Sequence, residues 1–284
     1  MGNPPKECTP EEVISAIEKY RKIVAEDAYK SLEWLIRAGE EQELGPGWED
    51  ADESLIIDGQ MRSCEEYLGC DLPNFKHQRE LLSRFDEVVE RSGCDGVVQY
   101  QSLEHPGAHA NMSTEAHISI LEKALKDNTH TSVPFPVSIP QEYKTLMRHV
   151  DSLFGVGLLH QRSPPLWAGC TDSHVNIKRR VLTKEYIKDT LKEMWLYDYE
   201  VAAGWETGVS REGYIFIILC RNEKEGKSWR WRYARVDWYM GESEVSDSIP
   251  SFLEHYAQDV PEPINELHWL VPLHKHPLCP RETS

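Results

Sequence analysis

The densest binding chemistry in this chain lies in Ser228-Trp229-Arg230-Trp231-Arg232-Tyr233. On an extended strand successive side chains alternate, so Trp229, Trp231 and Tyr233 share one side, and Arg230, Arg232 and Ala234 share the other. Indole rings bring large apolar area and one N–H donor, guanidinium groups fork onto carboxylates, and both anchor protein interfaces. Trp195, Tyr197, Tyr199 and Trp205 lie upstream, and Trp238 and Tyr239 downstream. Such a set either packs a sheet or lines a pocket, where Glu200, Glu206, Arg211 or Asp237 would supply the polar groups. Trp195, Tyr199, Trp205, Arg221, Trp229, Arg230, Trp231 and Arg232 are therefore the candidate binding residues. Nothing selects one carboxylate as an acid or base, so no catalytic residue is assigned.

Two further clusters carry reactive types. In Cys170-Thr171-Asp172-Ser173-His174 a thiol, an imidazole and a carboxylate are neighbours, as in an activated nucleophile. Those partners usually come from distant parts of a chain, so a polar loop is the simpler reading. His268, His274, His276 and Cys279 offer nitrogen and sulfur ligands of the kind zinc prefers. Pro272 and Pro277 interrupt them and the spacing fits no finger, so no metal site is expected, and no cofactor. There is no P-loop, dinucleotide-binding glycine pattern, nucleophile elbow or zinc-protease helix.

The formal net charge of the 284 residues is −17. An acidic chain repels a phosphate backbone, which argues against nucleic acid unless a local basic patch opposes the field. Residues 40–53 hold seven acidic and no basic side chains, as in a solvated loop. The seven cysteines are irregularly spaced without a Cys-x-x-Cys pair, which favours a reducing compartment. Neither a leader's apolar region nor a membrane-length apolar run is present. A soluble cytoplasmic protein with a protein partner is expected.

Several elements must position these side chains. Thr9-Pro10-Glu11-Glu12 is a capping box, and Val13, Ile17, Tyr20, Val24, Ala28, Leu32 and Ile36 continue one apolar stripe. Gly39 is expected just past that helix's end. A second helix is expected over residues 74–91, stopped by Gly93, and a linker over 104–111. Ser113 or Thr114 opens a third helix, Pro140 a fourth, and residues 183–195 form another. Strands follow over 197–207, 213–221 and 228–239. Tyr214-Ile215-Phe216-Ile217-Ile218-Leu219 is apolar at every position, so its strand should be central and covered on both faces. A helix over 250–258 closes the series. The organisation expected is a helical region (1–110), an α+β domain with a mainly antiparallel sheet (111–260) and an extended tail (261–284).

Within the second region, Ile139-Pro140-Gln141-Glu142-Tyr143 followed by Leu146 and Met147 resembles the "Leu-Pro-x-x-Tyr" helix of the SUKH superfamily. The strands from Tyr199 to Tyr239 and the closing Ser248-Ile249-Pro250-Ser251-Phe252-Leu253 resemble that superfamily's sheet and last helix. The superfamily includes bacterial toxin-immunity proteins and a fungal regulator of cell-wall synthesis. Over residues 113–260 the resemblance implies a helix-packed sheet used as a protein-binding platform, without a common catalytic set. The chain departs from the pattern at Asp151-Ser152-Leu153-Phe154-Gly155 and in a long insert over 160–180. The leading expectation is a non-enzymatic binding module using the aromatic and Arg sheet face. The alternative is an enzyme that takes a small aromatic or amino-acid-like metabolite as its ligand in an aromatic pocket. A third expectation is a scaffold that works through the acidic loop.

Overall fold

A computed structural model describes residues 7–41, 53–98, 113–129, 133–150, 152–153, 174–210, 213–222, 224, 228–237 and 243–258. The fold is α+β. Two compact units are present: residues 22–96 form one, and residues 7–21 with the described residues from 97 to 258 form the other. The expected linker at 104–111 and the tail from 261 lie outside the described residues.

Helix α1 (Pro10–Glu41) opens with the expected capping box. The Thr9 amide donates to Glu12 Oε2 at 2.8 Å, and the Glu12 amide donates to Thr9 Oγ1 at 3.2 Å, so two otherwise orphaned donors are satisfied reciprocally. The expected stop at Gly39 is not used. The helix runs on to Glu41, and only Gly69, Gly93 and Gly96 have positive φ among the described residues. A glycine in a helix lowers its propensity without ending it.

In the 22–96 unit, Ala28, Leu32, Leu35 and Ile36 of α1 pack with α2 (Glu53–Leu68) through Met61, Cys64, Tyr67 and Leu68. The same core takes Leu81 of α3 (Gln78–Ser83) and Val88 of α4 (Phe85–Ser92). One helix was expected over 74–91, but Arg84 breaks it, with φ −123° between the two pieces. Gly93 stops α4 as expected. It is left-handed at φ 65° and its amide donates to the Val89 carbonyl at 2.8 Å, a cap that costs a Cβ-free residue little.

The other unit is built on a four-stranded antiparallel meander, β3 (Tyr199–Ser210), β4 (Gly213–Asn222), β5 (Arg230–Asp237) and β6 (Ser243–Ser246), in that spatial order. The short β6 was not expected. A separate two-residue ladder joins β1 (Val97–Val98) to β2 (Ser152–Leu153). Helices α5 (Thr114–Asn128), α6 (Gln141–His149), α7 (His174–Arg180) and α10 (Ile249–Gln258) belong to this unit. Between α7 and β3 run α8 (Lys184–Tyr186), a π-helical turn (Ile187–Leu191) and α9 (Lys192–Met194), without a break.

Registers show why β4 is apolar at every position. Phe216, Ile218 and Cys220 lie opposite Ala234, Arg232 and Arg230, and face Leu182, Ile187 and Leu191. Ile215, Ile217 and Leu219 lie opposite Arg235, Tyr233 and Trp231 on the reverse face. There Tyr233 approaches Phe252 of α10, and Trp205 approaches Tyr143 of α6. Helices therefore cover both faces, as the sequence pattern demands. Gly204 marks a close approach. A Cβ there would come 2.6 Å from the Ile217 carbonyl oxygen and 3.1 Å from Leu182 Cδ1.

Candidate functional site

The sheet scatters the candidate binding residues over two faces. Trp205, on the α6 side, is 3% exposed, with ring contacts to Tyr143 at 5.2 Å and Trp231 at 5.4 Å. Its buried Nε1 has no hydrogen-bond partner among the described residues. Trp195 is buried on the opposite face from Trp205, tilted against Tyr214 at 6.2 Å. Trp229 is buried under the Arg221 guanidinium, whose carbon sits 4.8 Å from a ring centroid. Tyr199, Arg221, Arg230 and Trp231 retain part of their surface.

Arg232 is almost fully enclosed. Its Nε donates to Asp247 Oδ1 at 2.6 Å, Nη1 lies 3.5 Å from Cys220 Sγ, and its guanidinium lies 5.3 Å from the Tyr199 ring. Burial pulls the guanidinium's pKa down, but the Cys220 sulfur and the Asp247 carboxylate outweigh it and hold the value above the ordinary one. Arg232 is thus a fixed cation satisfied within the chain.

Sequence reasoning did not single out the buried carboxylate beneath α10. Glu142 accepts from Tyr233 Oη at 2.8 Å and from the Ile249 amide at 3.2 Å. Ile249 begins α10, so the carboxylate sits at that helix's positive end. Burial pushes the Glu142 pKa up against the pull of both donors, and burial raises Tyr233 well above its usual value. Glu142 stands in the Pro-x-x-Tyr segment, but no local pattern says that a glutamate there turns inward.

At one end of the sheet the registers gather Tyr199, Glu200, Arg221 and Arg230. Arg221 Nε donates to Glu200 Oε2 at 2.7 Å. Glu200 and Val201 also border an open cleft of ≈ 450 Å³ with Lys184, Ile187, Lys188 and Lys192. Its walls are irregular: the π turn forms one, and β3, with a register shift between Val201 and Ala203, forms the other. Such interruptions of regular structure are common beside functional sites. Outward of β3, among the described residues, only the isolated bridge between Val181 and Trp205 adds to the sheet. The lysine spacing was legible in the sequence, but its place beside β3 was not.

The other reactive clusters give little to build on. Cys170 to Ser173 and the His268, His274, His276 and Cys279 group lie outside the described residues, as does most of the acidic stretch from 40 to 53. Among the described residues no three His, Cys, Asp or Glu side chains form a metal-binding group, and no helix is long and apolar enough to cross a membrane. Compared with known proteins, the chain matches no protein-family model, no curated protein and no solved structure.

Proposed function

We propose that this chain is a non-enzymatic protein-binding module, SUKH-like over residues 113–260, that receives its partner at the sheet end bearing Tyr199, Arg221, Arg230 and Trp231. The observation that carries this reading is the shape and chemistry of the concavity beside that end. It is open and bordered mainly by residues of charged types, whereas small-molecule sites enclose most of their ligand. Of the aromatic residues that would have walled a metabolite pocket, Trp205 contacts Trp231 and Tyr143 of α6, and Trp195 contacts Tyr214. Helices on both faces stiffen the sheet, and a stiff surface loses less entropy on association.

Affinity capture on the immobilised protein, followed by calorimetry with the purified captured protein, tests the proposal. The expected result is saturable one-to-one binding, weakened about tenfold by Arg230→Ala with Trp231→Ala, the residue types that dominate interface energies. Saturable turnover of a metabolite, lost on substitution in the cleft, would replace this reading with an enzymatic one.

A further inference from the structure

We infer that the cleft between the π turn and β3 takes an extended acidic segment of a partner protein, its carboxylates meeting Lys184, Lys188 and Lys192. The inference rests on the binding reading above and adds the partner's chemistry.

Unspent positive charge is the first argument. The chain has 48 acidic and 31 basic side chains, so a cation finds a carboxylate more easily than the reverse. Four cations of this unit do so: Lys19 with Glu254, Lys144 with Glu122, Arg148 with Glu115, and Lys224 with Asp198. The ammonium groups of Lys184, Lys188 and Lys192 have no hydrogen-bond or ion-pair partner among the described residues. Glu185 and Asp189 lie on the same helical run and border the same cleft, yet form no ion pair with them. Glu200, the remaining carboxylate there, is held by Arg221. Between Lys178 and Glu193 the chain carries six basic and three acidic side chains, a local reversal of its overall sign.

Spacing is the second argument. Four residues rise about 6 Å along an α-helix, and less across the wider π turn. In an extended peptide, side chains on one face recur every two residues, about 6.7 Å apart. A segment with Asp or Glu at alternate positions therefore comes close to the lysine row's repeat. In a regular α-helix residues four apart overshoot one turn of 3.6 residues, so such a row winds around the axis. The wider π turn at Ile187–Leu191 reduces that overshoot and straightens the row. Ile187 and Val201 border the cleft between the lysine row and β3. A nucleic acid would offer comparable charge, but it would bring a continuous phosphate chain toward a protein of net charge −17.

A displayed library of random twelve-residue peptides, panned on the full chain, tests the inference. Retained peptides should carry Asp or Glu at alternate positions. A synthetic copy should lose about tenfold or more in affinity to a Lys184→Glu, Lys188→Glu, Lys192→Glu variant. It should bind the corresponding triple Arg variant nearly as well, and weaken as salt is raised. All three lysines are exposed, so both variants should fold, which matching melting curves will establish. Retained peptides without acidic enrichment, or unaffected by the charge reversal, would overturn the inference and leave the binding reading standing. No retained peptide would overturn both. Equal affinity for a single-stranded oligonucleotide, or dimerisation lost in the reversal variant, would place a nucleic acid or a second copy in the cleft instead and would also overturn it.

Discussion

The two faces of the four-stranded sheet solve the same problem in opposite ways. Among the described residues, each buries an arginine or a glutamate beside the apolar strand β4. On the π-turn face it is Arg232, and on the α6 and α10 face it is Glu142. Arg232 cannot lose its proton, so a counter-charge must come to it. Asp247 supplies one while remaining 64% exposed itself. Glu142 can be neutralised, and its hydrogen bonds come from neutral donors, the Tyr233 hydroxyl, the Ile249 amide and the Cys8 thiol. The first face holds a permanent ion with one foot in water. The second holds a carboxyl whose charge depends on pH.

Removing the aromatic packing on the α6 face should cost most. Trp205→Ala should lower stability by about 3–5 kcal/mol, read by denaturant unfolding, because a large buried ring would leave a cavity. A change near zero would mean that Trp205 packs little and is available at the surface. Glu142→Ala should cost about 3 kcal/mol, since the Tyr233 hydroxyl and the Ile249 amide would both be left buried without an acceptor.

The isosteric Glu142→Gln separates charge from packing. The raised pKa of Glu142 means that the folded protein holds this proton at pH values where the unfolded chain has lost it. That stabilising contribution is complete below the ordinary carboxylate range and is lost as pH rises through the raised value. Thermal melts should therefore show Glu142→Gln gaining on the native chain across that window, whereas parallel curves would mean that the carboxyl is not desolvated. Asp247→Asn on the other face should have the smallest effect, about 1 kcal/mol, because water already screens the exposed partner. A cost as large as that of Glu142→Ala would show that Arg232 relies on Asp247 alone and would erase the contrast between the faces.

Much of this architecture could be read from local patterns. The Thr9 capping box, the αL stop at Gly93, the Ser113 cap and the uninterrupted apolar run of β4 each express a rule that operates within a few residues. Where local rules compete, the reading failed. Gly39 is a fair helix stop by itself, but α1 runs through it. Arg84 carries no breaker signal, yet it splits a helix. The alternation that placed Trp231 and Tyr233 opposite Arg230 and Arg232 held because strand period is rigid. It could not say that helices from the same unit would cover both sides. The Lys184, Lys188 and Lys192 row was visible as spacing. Its significance depends on β3, which only the tertiary fold brings to it.

The π turn also makes the chain tolerant of a change in length at one spot. A wide turn of this kind accommodates one residue more than the ordinary helical ladder. Deleting a single residue such as Thr190 would let the segment wind as plain α-helix, with every side chain outside the deletion unchanged. The shortened α-helix would turn through nearly the same total angle as the segment with its wide turn, so the parts on either side would keep their facing. Lys184 and Lys192 would still point the same way, and the Thr183 cap would stay in place. A one-codon loss here would leave the surface aimed as before, whereas the same loss in an ordinary helix would turn one part by about 100°.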